Sequence, residues 1–187
     1  GATFWQIGTD LGLLPAPVPM TTLTLATGER ADLVLDFAGQ APGTEIILTN
    51  SAVAPFPSGA PGSVIPNVMK FIVTDQPGFT DPLPATLVAV PPIPEAESIR
   101  SRDFVLRRMF EATCGYEMWT INGLSWHDIT EFPRLGTTEV WSWINRSGFV
   151  HPMHLHLVGV QVLDRQDFDV VGGEIVPVGP RVPPPAH

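Results

Sequence analysis

His151-Pro152-Met153-His154-Leu155-His156, running on into Leu157-Val158-Gly159-Val160-Gln161-Val162-Leu163, is the stretch on which the reading of this chain turns. Three of the five histidines fall within it. Imidazole is the commonest protein ligand for transition metals, so packing is a poor account of such a cluster. From His154 onward the sequence reads as a β-strand, and successive strand side chains point to opposite faces. His154, His156, Val158, Val160 and Val162 then share one face, and Leu155, Leu157, Gly159, Gln161 and Leu163 the other. The rings of His154 and His156 stand side by side and can reach one metal or two neighbouring metals. His151 has the opposite parity, and Pro152 bends or ends the pairing there. The spacing therefore predicts two metal environments joined by a few residues of backbone. Spacing does not name the metal, because zinc and nickel use the same ring nitrogens. A cupin-type His-x-His fits poorly, since Val160 and Gln161 stand where a glutamate is wanted.

Outward from this stretch the chain reads as all-β. Its 21 prolines and 17 glycines punctuate 187 residues too often for long helices. The 44% apolar fraction suits a folded core. In Arg30 to Phe37 the residues Ala31, Leu33, Leu35 and Phe37 form an apolar face. Glu45 to Asn50 follows the turn signal Ala41-Pro42-Gly43, and Met69, Phe71 and Val73 alternate with Lys70 and Ile72. Many short strands separated by turns are most simply buried as a β-sandwich. The first unit is placed at residues 1–76. Residues 77–98 carry six prolines and read as a linker or long surface connection. The second unit, 99–187, holds candidate strands at Asp103 to Met109, Met118 to Ile121 and Thr138 to Asn145, with a tight turn at Asn122-Gly123.

A net charge of −9, from 10 basic and 19 acidic residues, argues against a nucleic-acid partner, whose phosphates demand a basic face. No apolar run reaches the length of a membrane span. The single cysteine excludes an intrachain disulfide and fixes no redox compartment.

The His-Pro-x-His-Leu-His pattern at 151–156 resembles the C-terminal copper-binding region of the multicopper oxidases. The likeness extends to Trp126-His127-Asp128, Gly136-Thr137-Thr138-Glu139-Val140-Trp141, Ile144-Asn145, Gly148-Phe149-Val150, Gln161-Val162-Leu163-Asp164-Arg165 and Val182-Pro183-Pro184-Pro185. Phe4 to Asp10 and Gly28 to Phe37 are similar to the second domain of the bacterial laccases of the spore-coat and phenoxazinone-synthase type, with bilirubin oxidases nearby. The resemblance implies cupredoxin-like Greek-key β-sandwiches, here parts of two domains. It implies copper: His151 as a ligand of the type 1 ion, His154 of the type 2 ion and His156 of one type 3 ion. It implies oxidation of phenols or aromatic amines by single electrons, with oxygen reduced to water. By resemblance the compartment is extracellular, periplasmic or the spore coat; the residues themselves fix none.

The chain departs from the family pattern in one respect. A blue copper site needs a cysteine thiolate and two imidazoles, and no histidine lies between Cys114, the one cysteine, and Met118. Cys114 reads as a small buried or loop residue. The chain stops at His187 before the family's His-Cys-His motif and reads as an internal fragment, inactive without its missing ligands. His127 reads as a turn histidine bonded to backbone or to Asp128, and His187 as an untethered surface residue. Trp141 and Trp143 read as sheet-face residues, and Glu139 and Asp164 as solvated or hydrogen-bonding partners. Two other classes compete: a non-catalytic copper-binding β-module for storage or delivery, and an assembly domain with incidental histidines.

Overall fold

The computed structural model describes residues 2–54, 56–61, 65–113 and 115–184. The expectations for Cys114 and His187, and Pro185 of the proline run, lie outside the described residues. Among these residues there is no α-helix, and one 3-10 turn spans Glu95–Glu97. The all-β expectation holds. No helix of the described residues is long and apolar enough to cross a membrane. The chain divides into two units, Gly1–Gln40 with Asp75–Pro92 and Pro152–His187, and Ala41–Thr74 with Ile93–His151.

In the first unit β1 (Phe4–Thr9) is the centre of a three-stranded antiparallel sheet between β2 (Gly12–Met20) and β3 (Ala31–Val34). The sheet bulges between Gln6 and Gly8. Glycine suits the bulge, because a Cβ at position 8 would stand 2.5 Å from Asp32 Oδ2 and 3.1 Å from the Gly12 carbonyl. Buried Leu14 and Gln6 sit at the heart of this sheet, and Gln6 Nε2 donates to the Gly8 carbonyl at 3.2 Å. β3 is shorter than the expected Arg30–Phe37. The carboxylate of Asp36 accepts the Ala38 amide at 2.8 Å and turns the chain away. β2 carries Pro15, Pro17 and Pro19 at alternate positions, which an edge strand tolerates. Its partner is β1, and the Pro15 carbonyl accepts the Leu87 amide at 2.8 Å. The two long strands β11 (Arg165–Val171) and β12 (Glu174–Val182) form a hairpin around Gly172-Gly173. Both glycines have positive φ, 61° and 94°, which a two-residue hairpin turn demands.

In the second unit β4 (Glu45–Thr49) pairs antiparallel with β7 (Asn67–Ile72), and the short β5 (Val53–Ala54) with β6 (Ala60–Pro61). The central strand is β8 (Ser98–Glu111), the longest in the chain. Its first part pairs in parallel with β10 (Thr138–Asn145), and its last part pairs antiparallel with β9 (Tyr116–Ile121). Phe104 and Leu106 are buried on β8, and Thr120 on β9. The Phe104 ring lies 4.7 Å from Trp141 and 4.6 Å from Trp143, two tryptophans of β10 on one face. They are sheet-face residues, as their alternation predicts.

Asn122 and Gly123 make the expected tight turn, with φ of 53° and 77°. Asn122 does more than turn the chain. Its amide donates to the Val105 carbonyl at 2.9 Å, and its side-chain oxygen accepts the Val105 amide at 2.7 Å. Its Nδ2 donates to the Asp103 carbonyl at 3.0 Å. One side chain thus continues the β8 ladder past the end of β9.

The strand expected over His154 to Leu163 is not formed. Those residues carry no strand pairing, and Leu157 takes a φ of 72°, in the left-handed region. Alternation needs a paired neighbouring strand to become a strand itself, and residues 154–163 take no strand assignment. It is held by side chains: Gln161 Nε2 donates to the Pro91 carbonyl at 2.9 Å, and a Cβ at Gly159 would stand 2.9 Å from Leu11 Cδ1.

Candidate metal centre

His151 is placed by a turn that follows β10. Asn145 Oδ1 accepts the Ser147 amide at 3.1 Å and the Ser147 hydroxyl at 2.6 Å. Asn145 Nδ2 donates to the Phe149 carbonyl at 2.5 Å, and the Phe149 amide donates to Ser147 Oγ at 3.2 Å. Gly148 supplies the positive φ, 77°, that closes the turn. The Arg146 amide donates to the Leu106 carbonyl at 2.9 Å, which ties the turn to β8. Asparagine, serine and glycine are the residues that offer the backbone such local partners.

The turn delivers Phe149 and His151 to the ring of Trp119 on β9. Trp119 lies 4.5 Å from His151 at 80°, and 5.8 Å from Phe149 at 82°. Both contacts are edge-to-face arrangements, which aromatic quadrupoles favour. Arg108 is the direct cross-strand partner of Trp119. Its guanidinium stands 5.1 Å over the Phe149 ring and 3.1 Å from Glu117. His151 Nε2 is buried and has no hydrogen-bond partner.

His154 and His156 belong to the other unit and are exposed. Their ring centroids are 4.9 Å apart at 84°. The side-by-side expectation for this pair therefore holds, although the strand that motivated it does not form. Among the described residues no three His, Cys, Asp or Glu side chains group as one metal site. The residues present are nonetheless chemically fit for a metal. An imidazole ligates through one nitrogen and gives the other to a hydrogen bond, and His151 has a buried nitrogen with its capacity unspent.

The other polar candidates have structural work. Glu139 Oε2 accepts Arg102 Nε at 2.6 Å and Trp141 Nε1 at 2.9 Å, and Oε1 accepts Arg102 Nη2 at 3.1 Å. These donors, the guanidinium first, hold its carboxyl at about 2, below the usual 4.5. Arg102 and Glu139 expose 16% and 8% of their side chains, so this clamp between β8 and β10 is largely shielded. Asp164 pairs with Arg181 at 3.3 Å. Asp128 accepts the Ser125 amide at 2.8 Å and hydroxyl at 2.9 Å, which lower its pKa. In the turn at Trp126-His127-Asp128 it is Ser125 that bonds the carboxylate. Trp119, Phe149 and Arg108 were not among the sequence candidates. The alternation of β9 hints at a face for Trp119, but its contact with His151 depends on a pairing register that residue types do not reveal.

The sequence profile of the family described as multicopper oxidase matches residues 102–175, a span that contains all three histidines. A laccase of Bacillus subtilis (strain 168) is 39% identical over 196 residues, which cover 99% of this chain and 37% of that protein. The chain belongs to the multicopper oxidases. A bilirubin oxidase of Albifimbria verrucaria is 33% identical over 173 residues, 87% of this chain and 28% of that protein. The crystal structure of the multicopper oxidase McoA from Aquifex aeolicus is similar with a TM-score of 0.67 at 26% identity, over 94% of this chain and 39% of that one. A laccase structure from Pediococcus acidilactici matches with the same TM-score and identity over 97% of this chain and 37% of that one. These oxidases place the all-β units in the cupredoxin-like class. The chain spans 37% of the length of the Bacillus laccase. Membership makes copper the metal that the histidines are to be tested against.

Proposed function

We propose that this chain is the part of a laccase-like multicopper oxidase that supplies histidines to its copper sites. His151 would hold the type 1 ion, His154 the type 2 ion and His156 one of the type 3 ions. The domain reading that goes with this assigns 1–76 to a second cupredoxin-like domain, 77–98 to a linker and 99–187 to a third. Bound there, copper supplies one-electron oxidation of phenols or aromatic amines and reduction of oxygen to water. The chain's own contribution is to hold donors. The turn of Asn145, Ser147 and Gly148 carries His151 to the Trp119 ring, where its Nε2 is kept from water. His154 and His156 present two rings close together, so their donors can serve one ion or two adjacent ones. The His154–His156 approach, inside the segment matched by the family profile, is the observation that carries this reading.

The test is a copper titration of the 187-residue chain followed by electron paramagnetic resonance. Nitrogen couplings from bound Cu(II) are expected, and those of the His154–His156 site should be lost in a His154→Ala, His156→Ala double variant, leaving only copper held at His151. Copper binding unchanged by that double substitution overturns the assignment of the pair.

A further inference from the structure

Ligating histidines are usually oriented by a hydrogen bond from the ring nitrogen that does not meet the metal, to a carboxylate, a carbonyl or water. No orienting bond of this kind is seen at His151 among the described residues, and its buried Nε2 is left without a partner, open to a metal. What meets the ring instead is Trp119, at 4.5 Å and nearly perpendicular. We propose that Trp119 is the positioning residue of His151: its indole fixes the imidazole plane and excludes water from the ring. This inference rests on the assignment of His151 as a copper ligand.

Trp119 is itself held in place, which a positioning residue must be. It stands opposite Arg108 in the antiparallel β8–β9 pair, so both side chains rise from one face. Phe149 fills the space between them, edge-on to the indole at 5.8 Å and under the guanidinium at 5.1 Å. Glu117, two residues before Trp119 on the same face, takes the Arg108 charge at 3.1 Å. The order is therefore carboxylate, guanidinium, phenyl, indole, imidazole. Each member restricts the next, and the last member is the metal ligand. An imidazole without this wall would turn about its side-chain torsions and meet water.

The experiment uses the full chain with selectively labelled histidines and Cu(II) as the probe. Nuclear magnetic resonance reads the broadening of each imidazole separately. An aromatic edge-to-face contact of this kind corresponds to a preference of about 2- to 12-fold. Trp119→Leu should therefore weaken Cu(II) binding at His151 by roughly that factor and shift the His151 ring signals before copper is added. The broadening of His154 and His156 should not change, and Trp119→Phe should restore most of the affinity at His151. His151 affinity equal in the leucine and wild-type chains overturns the inference while leaving the ligand assignment intact. Absence of His151 broadening in the wild-type chain overturns the ligand assignment, and the positioning role with it. Phe149→Leu carries the test should the leucine variant at Trp119 not fold. A smaller loss at His151 is then expected, and unchanged ring shifts and affinity overturn the inference.

Discussion

Phe104→Ala is the substitution on which the account of the second unit can be tested most directly. Phe104 is one of three buried apolar side chains among the described residues, with 4% of its surface exposed. Its ring fills the space between Trp141 and Trp143, at 4.7 Å and 4.6 Å. Truncation leaves a cavity bounded by two large rings on a parallel strand pair, which cannot collapse without shifting β10. Phenylalanine-to-alanine changes in such surroundings cost about 3–5 kcal/mol. The lower end is the better figure here, because few other side chains of this sheet are buried. The assay is urea unfolding followed by tryptophan fluorescence, with Phe104→Leu as the volume-sparing control at under about 1.5 kcal/mol. The site supplies a second readout. β10 runs into the Asn145–Ser147 turn that delivers His151, so the His151 ring signals should shift in the alanine variant. A loss below about 1 kcal/mol, the ordinary size for a point substitution, would refute the claim that Phe104 locks β10 to β8.

The remaining expectations concern the clamp, the turn and the chain's redox competence. Glu139 has a folded-state carboxyl near 2 against the usual 4.5, so its contribution is fully present above the usual value and is lost as the pH falls from there towards 2. The difference in urea midpoint between wild type and Glu139→Gln should therefore shrink across that acidic window and stay constant above it. Asn122→Ala removes two side-chain hydrogen bonds to β8 and a residue that tolerates positive φ, and should destabilise the chain by about 1–3 kcal/mol in chemical unfolding; Asn122→Gly, which keeps the backbone geometry, should lose less. The purified 187-residue chain should show neither a blue thiolate-to-copper band nor oxygen consumption with phenols, because no histidine accompanies Cys114 in the ligand rhythm that a blue site needs. Blue absorption with turnover would overturn that expectation.

Much of the second unit was legible because its residues obey local rules. Thr138 to Asn145 alternates cleanly and is β10 at both ends. Asn122-Gly123 is readable because few other residues accept positive φ at both positions of a turn. The same rule makes Gly172-Gly173 a hairpin signal, while the prolines and charges of the flanking β11 and β12 obscure their alternation. Apolar periodicity misled at His154 to Leu163. Period two describes which way side chains would point in a strand, and supplies no partner for the backbone. The candidate metal ligands were visible by residue type, whereas the aromatic surroundings of His151 were not. Trp119 and His151 are 32 positions apart, and what joins them is the β8–β9 register and a serine-asparagine turn.

The spacing of Pro15, Pro17 and Pro19 has a consequence for the free flank of β2. Proline has no backbone N–H, so three donors are missing within five residues of β2. The strand keeps its carbonyls there, and that of Pro15 accepts the Leu87 amide. It can accept hydrogen bonds but cannot return them at those positions. A foreign strand arriving there would find half a ladder, so the sheet resists growing into fibrils from this side while still anchoring the chain's own connecting segment.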